Sequence, residues 1–120
     1  MENFTDRMAE WAKGAGMDLS FIDRIVEMAP RSARDYVDRA EYADQIMVAS
    51  RDEAPPEVLR QMARESSTEV RAHVARRADL PDDMVSMMAR DRSPLIRLAI
   101  ARRSRLPVGV AGRMATTDSA

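Results

Sequence analysis

The sequence predicts an all-α fold: a short α-solenoid of about three 26-residue, two-helix repeats behind an N-terminal helical cap. Three observations carry that expectation. The chain repeats itself with a period of 26 over residues 40–117, and nine positions are identical between residues 66–91 and 92–117 without a gap. Apolar residues inside each unit recur three and four apart, the spacing of a helix face. The composition, rich in Ala, with ten Met and only 4% aromatic residues, favours helix over sheet.

Residues 1–39 are expected to form the cap. Phe4, Met8, Trp11, Ala12 and Ala15 make one amphipathic stripe, closed by Gly14 and Gly16. Ser20 is placed to cap a second helix whose Ile22, Ile25, Val26 and Ala29 share a face before Pro30. A third stretch carries Ala33, Tyr36, Val37 and Ala40 and reads as a half-repeat. Such a segment suits the first core face of a repeat array, which needs a polar cover. Trp11 is read as an aromatic that packs inside this cap.

Three units follow, at residues 40–65, 66–91 and 92–117, with 118–120 as a tail. The second and third share Ser67/Ser93, Arg71/Arg97, Ala75–Arg77/Ala101–Arg103, Leu80-Pro81/Leu106-Pro107 and Met88-Ala89/Met114-Ala115. The first keeps Val48, Ala49, Arg51, Pro55, Leu59, Met62 and Ala63 in the same register. In each unit a first helix opens at a capping residue (Ser67, or Ser93 followed by Pro94), with Ser66 and Glu69 as an alternative capping box. It presents Val70 and Val74, or Ile96 and Ile100, and ends in an Arg pair that suits a helix C-terminus. The Ala54-Pro55, Leu80-Pro81 and Leu106-Pro107 steps break the run, because a residue before Pro avoids helical angles. A second helix then carries Val58, Leu59, Met62 and Ala63, or Met84, Val85, Met88 and Ala89. Helices of about ten residues cannot bury these faces alone, so neighbouring units must stack.

The pattern Val70-Arg71…Val74-Ala75…Leu80-Pro81…Met88-Ala89, repeated as Ile96-Arg97…Ile100-Ala101…Leu106-Pro107…Met114-Ala115, resembles the leucine-rich repeat variant. The first unit departs from it, with Asp44 and Gln45 in place of the Val-Arg pair. The resemblance implies a right-handed superhelix of paired short helices, one often 3₁₀ in character and akin to HEAT-type repeats. Some family members hold an iron–sulfur centre on an N-terminal Cys cluster; this chain has no Cys, so that chemistry does not carry over.

The absence of Cys also removes disulfides, thiolate metal sites and Cys nucleophiles, and the single His73 excludes a multi-histidine metal site. No apolar run reaches the roughly 18 residues of a membrane helix, and residues 1–30 lack a signal-peptide pattern. No nucleophile, base and orienting group can be assembled, nor any phosphate loop around Gly14-Ala15-Gly16. The expectation is a non-enzymatic cytoplasmic protein with neither cofactor nor metal and no membrane partner. The ratio of 18 Arg to one Lys suits a GC-rich bacterial or phage gene.

Charge is uneven: residues 1–70 hold 9 basic and 15 acidic side chains, residues 71–120 hold 10 and 5. Arg repeats at the 26-residue period, which in a stacked array turns single charges into rows. Arg76, Arg77, Arg102, Arg103 and Arg105, at helix ends and connections, are the candidate contacts to an acidic protein partner. Arg71 and Arg97 are expected instead to pair with carboxylates such as Glu65 or Asp91 and fix repeat geometry. Nucleic-acid binding along the same stripe is the alternative, opposed by the near-neutral net charge and the shortage of stacking aromatics. Head-to-tail self-assembly of the oppositely charged halves is a third reading. Val110 and Met114, with only 118–120 beyond their unit, are the candidate surface for a homodimer or partner contact.

Overall fold

A computed structural model describes residues 2–103, 106, 107 and 109. Among them are eight α-helices and no strands: α1 (Phe4–Gly14), α2 (Leu19–Met28), α3 (Ala33–Arg39), α4 (Tyr42–Ser50), α5 (Pro56–Glu65), α6 (Thr68–Ala75), α7 (Asp82–Met88) and α8 (Pro94–Ala101). The period seen in the sequence sets the helix starts. α4, α6 and α8 begin at 42, 68 and 94, and α5 and α7 at 56 and 82.

The local signals explain most boundaries. Asn3, Ser32, Ser67 and Ser93 are N-caps whose side chains accept a hydrogen bond from a first-turn amide. α5 and α7 open instead on Pro55 and Pro81, whose carbonyls accept first from Val58 and Met84 and then from Leu59 and Val85. The 3₁₀ character implied for one helix of each pair is confined to single bonds at helix ends, such as these and Arg90 to Met87 after α7; both second helices are α. Ser20 does not cap α2. That helix starts two residues earlier, after Asp18, and Ser20 is exposed in its first turn.

α2 ends at Ala29, which takes the left-handed conformation at φ 48°, where a Cβ is strained and Gly is favoured. Ala29→Gly is therefore expected to stabilise the chain by about 0.5–1 kcal/mol, read as a higher urea midpoint. A lower midpoint would show that the strain at Ala29 is smaller than the entropy that Gly adds to the unfolded chain.

The helices stack in two rows. α4 packs on α6 and α6 on α8, while α3 packs on α5 and α5 on α7. The body measures 47 × 23 × 21 Å. Equivalent residues fill equivalent places: Val48, Val74 and Ile100 are each fully buried. The pairs Leu59/Val85, Met62/Met88 and Ala63/Ala89 line the core in the other row. α3, placed by sequence in the cap, is thus continuous with the array as a member of the second row. Phe4, Met8, Ala12, Phe21 and Ile25 close the N-terminal end of the core, with Trp11 half-buried against it.

Polar contacts tie the stacked elements. Arg24 in α2 makes a two-pronged pair with Asp44 in α4, both bonds 2.8 Å. Arg60 in α5 grips Asp83 in α7, and the Tyr42 hydroxyl of α4 donates to the Glu69 carboxylate of α6. Gln45 donates to the carbonyls of Val37 and Ala40 and accepts from the Ser66 hydroxyl, tying α4 to the end of α3 and to the α5–α6 connection.

A candidate interaction groove at the helix ends

The first-row helices all finish on one edge of the molecule, where the Arg-rich ends lie. Arg77 follows α6 and turns back toward the preceding unit. One terminal nitrogen donates to the Ala49 carbonyl at 2.7 Å and the Arg51 carbonyl at 2.6 Å, at the end of α4. Its other two donors fork onto Asp79 at 2.9 and 2.8 Å. Arg103 repeats the reach one unit later, donating to the carbonyls of Ala75 and Arg77 at 3.1 and 2.6 Å. Helix C-termini leave carbonyls without intrahelical partners, and here the next unit's guanidinium supplies the donors. The residue two beyond Arg103 in the sequence is Arg105 rather than a carboxylate, and the buried Arg103 Nε has no hydrogen-bond partner among the described residues.

Arg71 is the other inward-facing arginine. It is 1% exposed and forks onto Asp91 at 2.9 and 3.0 Å, with a third bond to the Ser66 carbonyl. Asp91 also receives the Ser93 amide, and its carbonyl accepts from Arg97. Of the two carboxylates singled out by sequence, Asp91 is thus the partner of Arg71.

The expected contact arginines therefore divide. Arg77 is buried and Arg103 half-buried, with their donors directed at the chain's own backbone. Arg76 and Arg102 are exposed, and among the described residues neither has a hydrogen-bond or ion-pair partner. Arg105, Val110 and Met114 lie outside the described residues.

Two open clefts flank Arg76, Arg77 and Ala78, which line both. The larger, about 720 Å³, adds His73 and faces Asp52 and Glu53 on the α4–α5 connection. The smaller, about 390 Å³, has a floor of Ala75, Ala78 and Ala99 between Arg76 and Arg102, and among the described residues no carboxylate lines it. His73, half-buried, is part of the larger wall, which Ser50, Asp52, Glu53 and Asp79 also line. Asp79 is held below the ordinary carboxylate range, first by its bonds from Arg77, with the Glu53 amide adding to the same direction, and Arg77 also holds the Arg51 carbonyl. The loop between α4 and α5 is thereby pinned to the next unit. Glu53 itself adopts φ 55° to make that bend.

The groove consists of equivalent positions of successive units. Residues 68–93 match the family model of the leucine rich repeat variant. No curated protein and no solved structure matches the chain. The matched leucine rich repeat variant unit begins at the first residue of α6, spans α7 and ends at Ser93, the cap of α8. It contains the buried Arg71–Asp91 pair, the Arg77 reach and Arg76. The chain is a helical repeat protein, and no helix among the described residues is long and apolar enough to cross a membrane.

Sequence reasoning missed the outward face of the first row. Ile46, Ala72 and Leu98 are one set of equivalent residues, Met47, His73 and Ala99 another, and all remain half-buried or exposed. The available signal was substitution within the register: Leu95 and Leu98 stand where the preceding unit has Glu69 and Ala72.

Proposed function

We propose that the chain is a non-catalytic protein-interaction module that seats an acidic partner segment in the cleft between its second and third units. One observation carries this reading. Arg76 and Arg102 flank a small-residue floor with no carboxylate in the lining and no ion-pair partner of their own among the described residues. A free guanidinium beside a fixed groove favours a carboxylate that arrives from another molecule, since it gives up no existing pair. The Ala floor admits an extended backbone, and the inward-held Arg77 and Arg103 keep the walls rigid. A cytoplasmic setting and the absence of catalysis belong to the same reading; the single His and the lack of Cys in the sequence support the second.

The test is binding of a fluorescent Glu-rich peptide to dilute protein, followed by anisotropy across a salt series. The Arg76→Glu/Arg102→Glu variant is expected to bind about tenfold more weakly or worse, with wild-type binding falling as salt rises. Binding that ignores both the reversals and the salt would refute the reading. Preference for duplex DNA over the peptide would transfer the cleft to nucleic acid.

A further inference from the structure

We infer that the chain binds a second copy of itself, with the outer stripe of α2 from one molecule lying along the outer stripe of α8 from the next. This goes beyond the acidic-cleft reading and shares only Arg102 with it. Helix α8 leaves Leu95 66% and Leu98 45% exposed, three residues apart, with Arg102 four further on. The segment 92–103 holds four arginines and no acidic residue. Helix α2 leaves Leu19 78% and Val26 53% exposed on one face, with exposed Asp23 and Glu27 on the same stripe.

The two stripes match in extent and oppose in charge. Leu19 to Val26 and Leu95 to Arg102 each cover seven residue steps, about 10 Å of helix. Each offers two apolar side chains to the other, and the acidic pair on α2 meets the basic end of α8. The stripes belong to opposite ends of the stack, because α8 follows α4 and α6 in its row whereas α2 packs on α1. One molecule therefore cannot satisfy its own pair, and the contact joins different surfaces of two molecules. Exposed large apolar residues at helical spacing beside complementary charge are what helix-on-helix recognition uses. Two side chains from each molecule make a small contact, so the association is weak and depends on concentration.

The experiment measures the weight-average mass of the full chain by sedimentation equilibrium from about 10 µM to about 1 mM at low salt. The mass is expected to rise above 13.5 kDa. Leu98→Asp and Val26→Asp, both at exposed sites, are each expected to weaken association about tenfold or more while leaving the helical circular dichroism intact. An equimolar mixture of the two variants is expected to regain association, because α2 of the Leu98→Asp chain and α8 of the Val26→Asp chain are both unaltered. A constant monomer mass overturns the inference. So does a mixture no better than its components, or an assembly that only Leu98→Asp disrupts. Protein that stays monomeric up to about 1 mM yet binds the Glu-rich peptide when dilute would sink this inference alone and leave the cleft reading standing.

Discussion

Arg71→Ala is expected to destabilise the chain by about 3–5 kcal/mol, the usual cost of removing one member of a buried ion pair. Arg71 is inaccessible to solvent, and the Asp91 side chain beside it is only 7% exposed. Truncation would strand that carboxylate, and the Ser66 carbonyl would lose its donor as well. A domain of this length is stable by about 5–15 kcal/mol, so a loss of this size consumes a large share of the total. The check is urea denaturation followed by circular dichroism. Arg71→Met combined with Asp91→Leu is expected to be less destabilised than Arg71→Ala, because it leaves no unpaired buried charge. A single variant within about 1 kcal/mol of wild type would show that water reaches Asp91 and that the pair contributes little.

Arg77→Ala is expected to cost about 2–4 kcal/mol, since it removes charged donors from two helix-end carbonyls and unties the loop carboxylate Asp79. Arg77→Lys should recover less than half, because one ammonium cannot fork onto Asp79 while reaching Ala49 and Arg51. Arg103→Ala should cost less than Arg77→Ala, since Arg103 is less buried and its Nε has no partner among the described residues.

Acidity offers a second readout at Asp79. Arg77 lowers its carboxyl below the ordinary value of about 3.9, so the native state prefers the charged form. That preference contributes stability above the ordinary value and loses it as pH falls through the lowered native one. The gap between wild type and Arg77→Ala should therefore narrow as pH drops below about 4. A gap that stays constant into strong acid would mean that Asp79 takes no part.

The fold could be read from the sequence because the period is a physical constraint. A residue that must be apolar in one unit, such as Val74, must be apolar at 48 and 100, and all three are buried as the register requires. Serine before a helical run marked the starts of α6 and α8 for the same reason: the amide donors there need an acceptor. Ser20 misled because Asp18 lies two residues ahead of it, and the apolar pattern alone does not choose between neighbouring starts.

The site was less legible. Arg76 and Arg77 are adjacent and chemically identical, yet one points out and the other reaches back to Ala49. That choice depends on where the α4 carbonyls lie in space, which no local pattern encodes. Asp91 was one of several carboxylates near Arg71 in sequence, and only the stacking of α6 beneath the α7–α8 connection selects it. The exposure of Leu95 and Leu98 was hidden because apolar residues at helical spacing normally point to a core.

The backward reach of Arg77, copied by Arg103, has one more consequence. Both guanidiniums grip carbonyls 28 and 26 residues earlier, so every such clasp spans one joint and none skips over a neighbour. A gene that duplicated residues 66–91 in frame would carry the clasp's donor and acceptors together, and the lengthened protein would need no joint that the shorter one lacks. The molecule is built so that it can grow by whole modules.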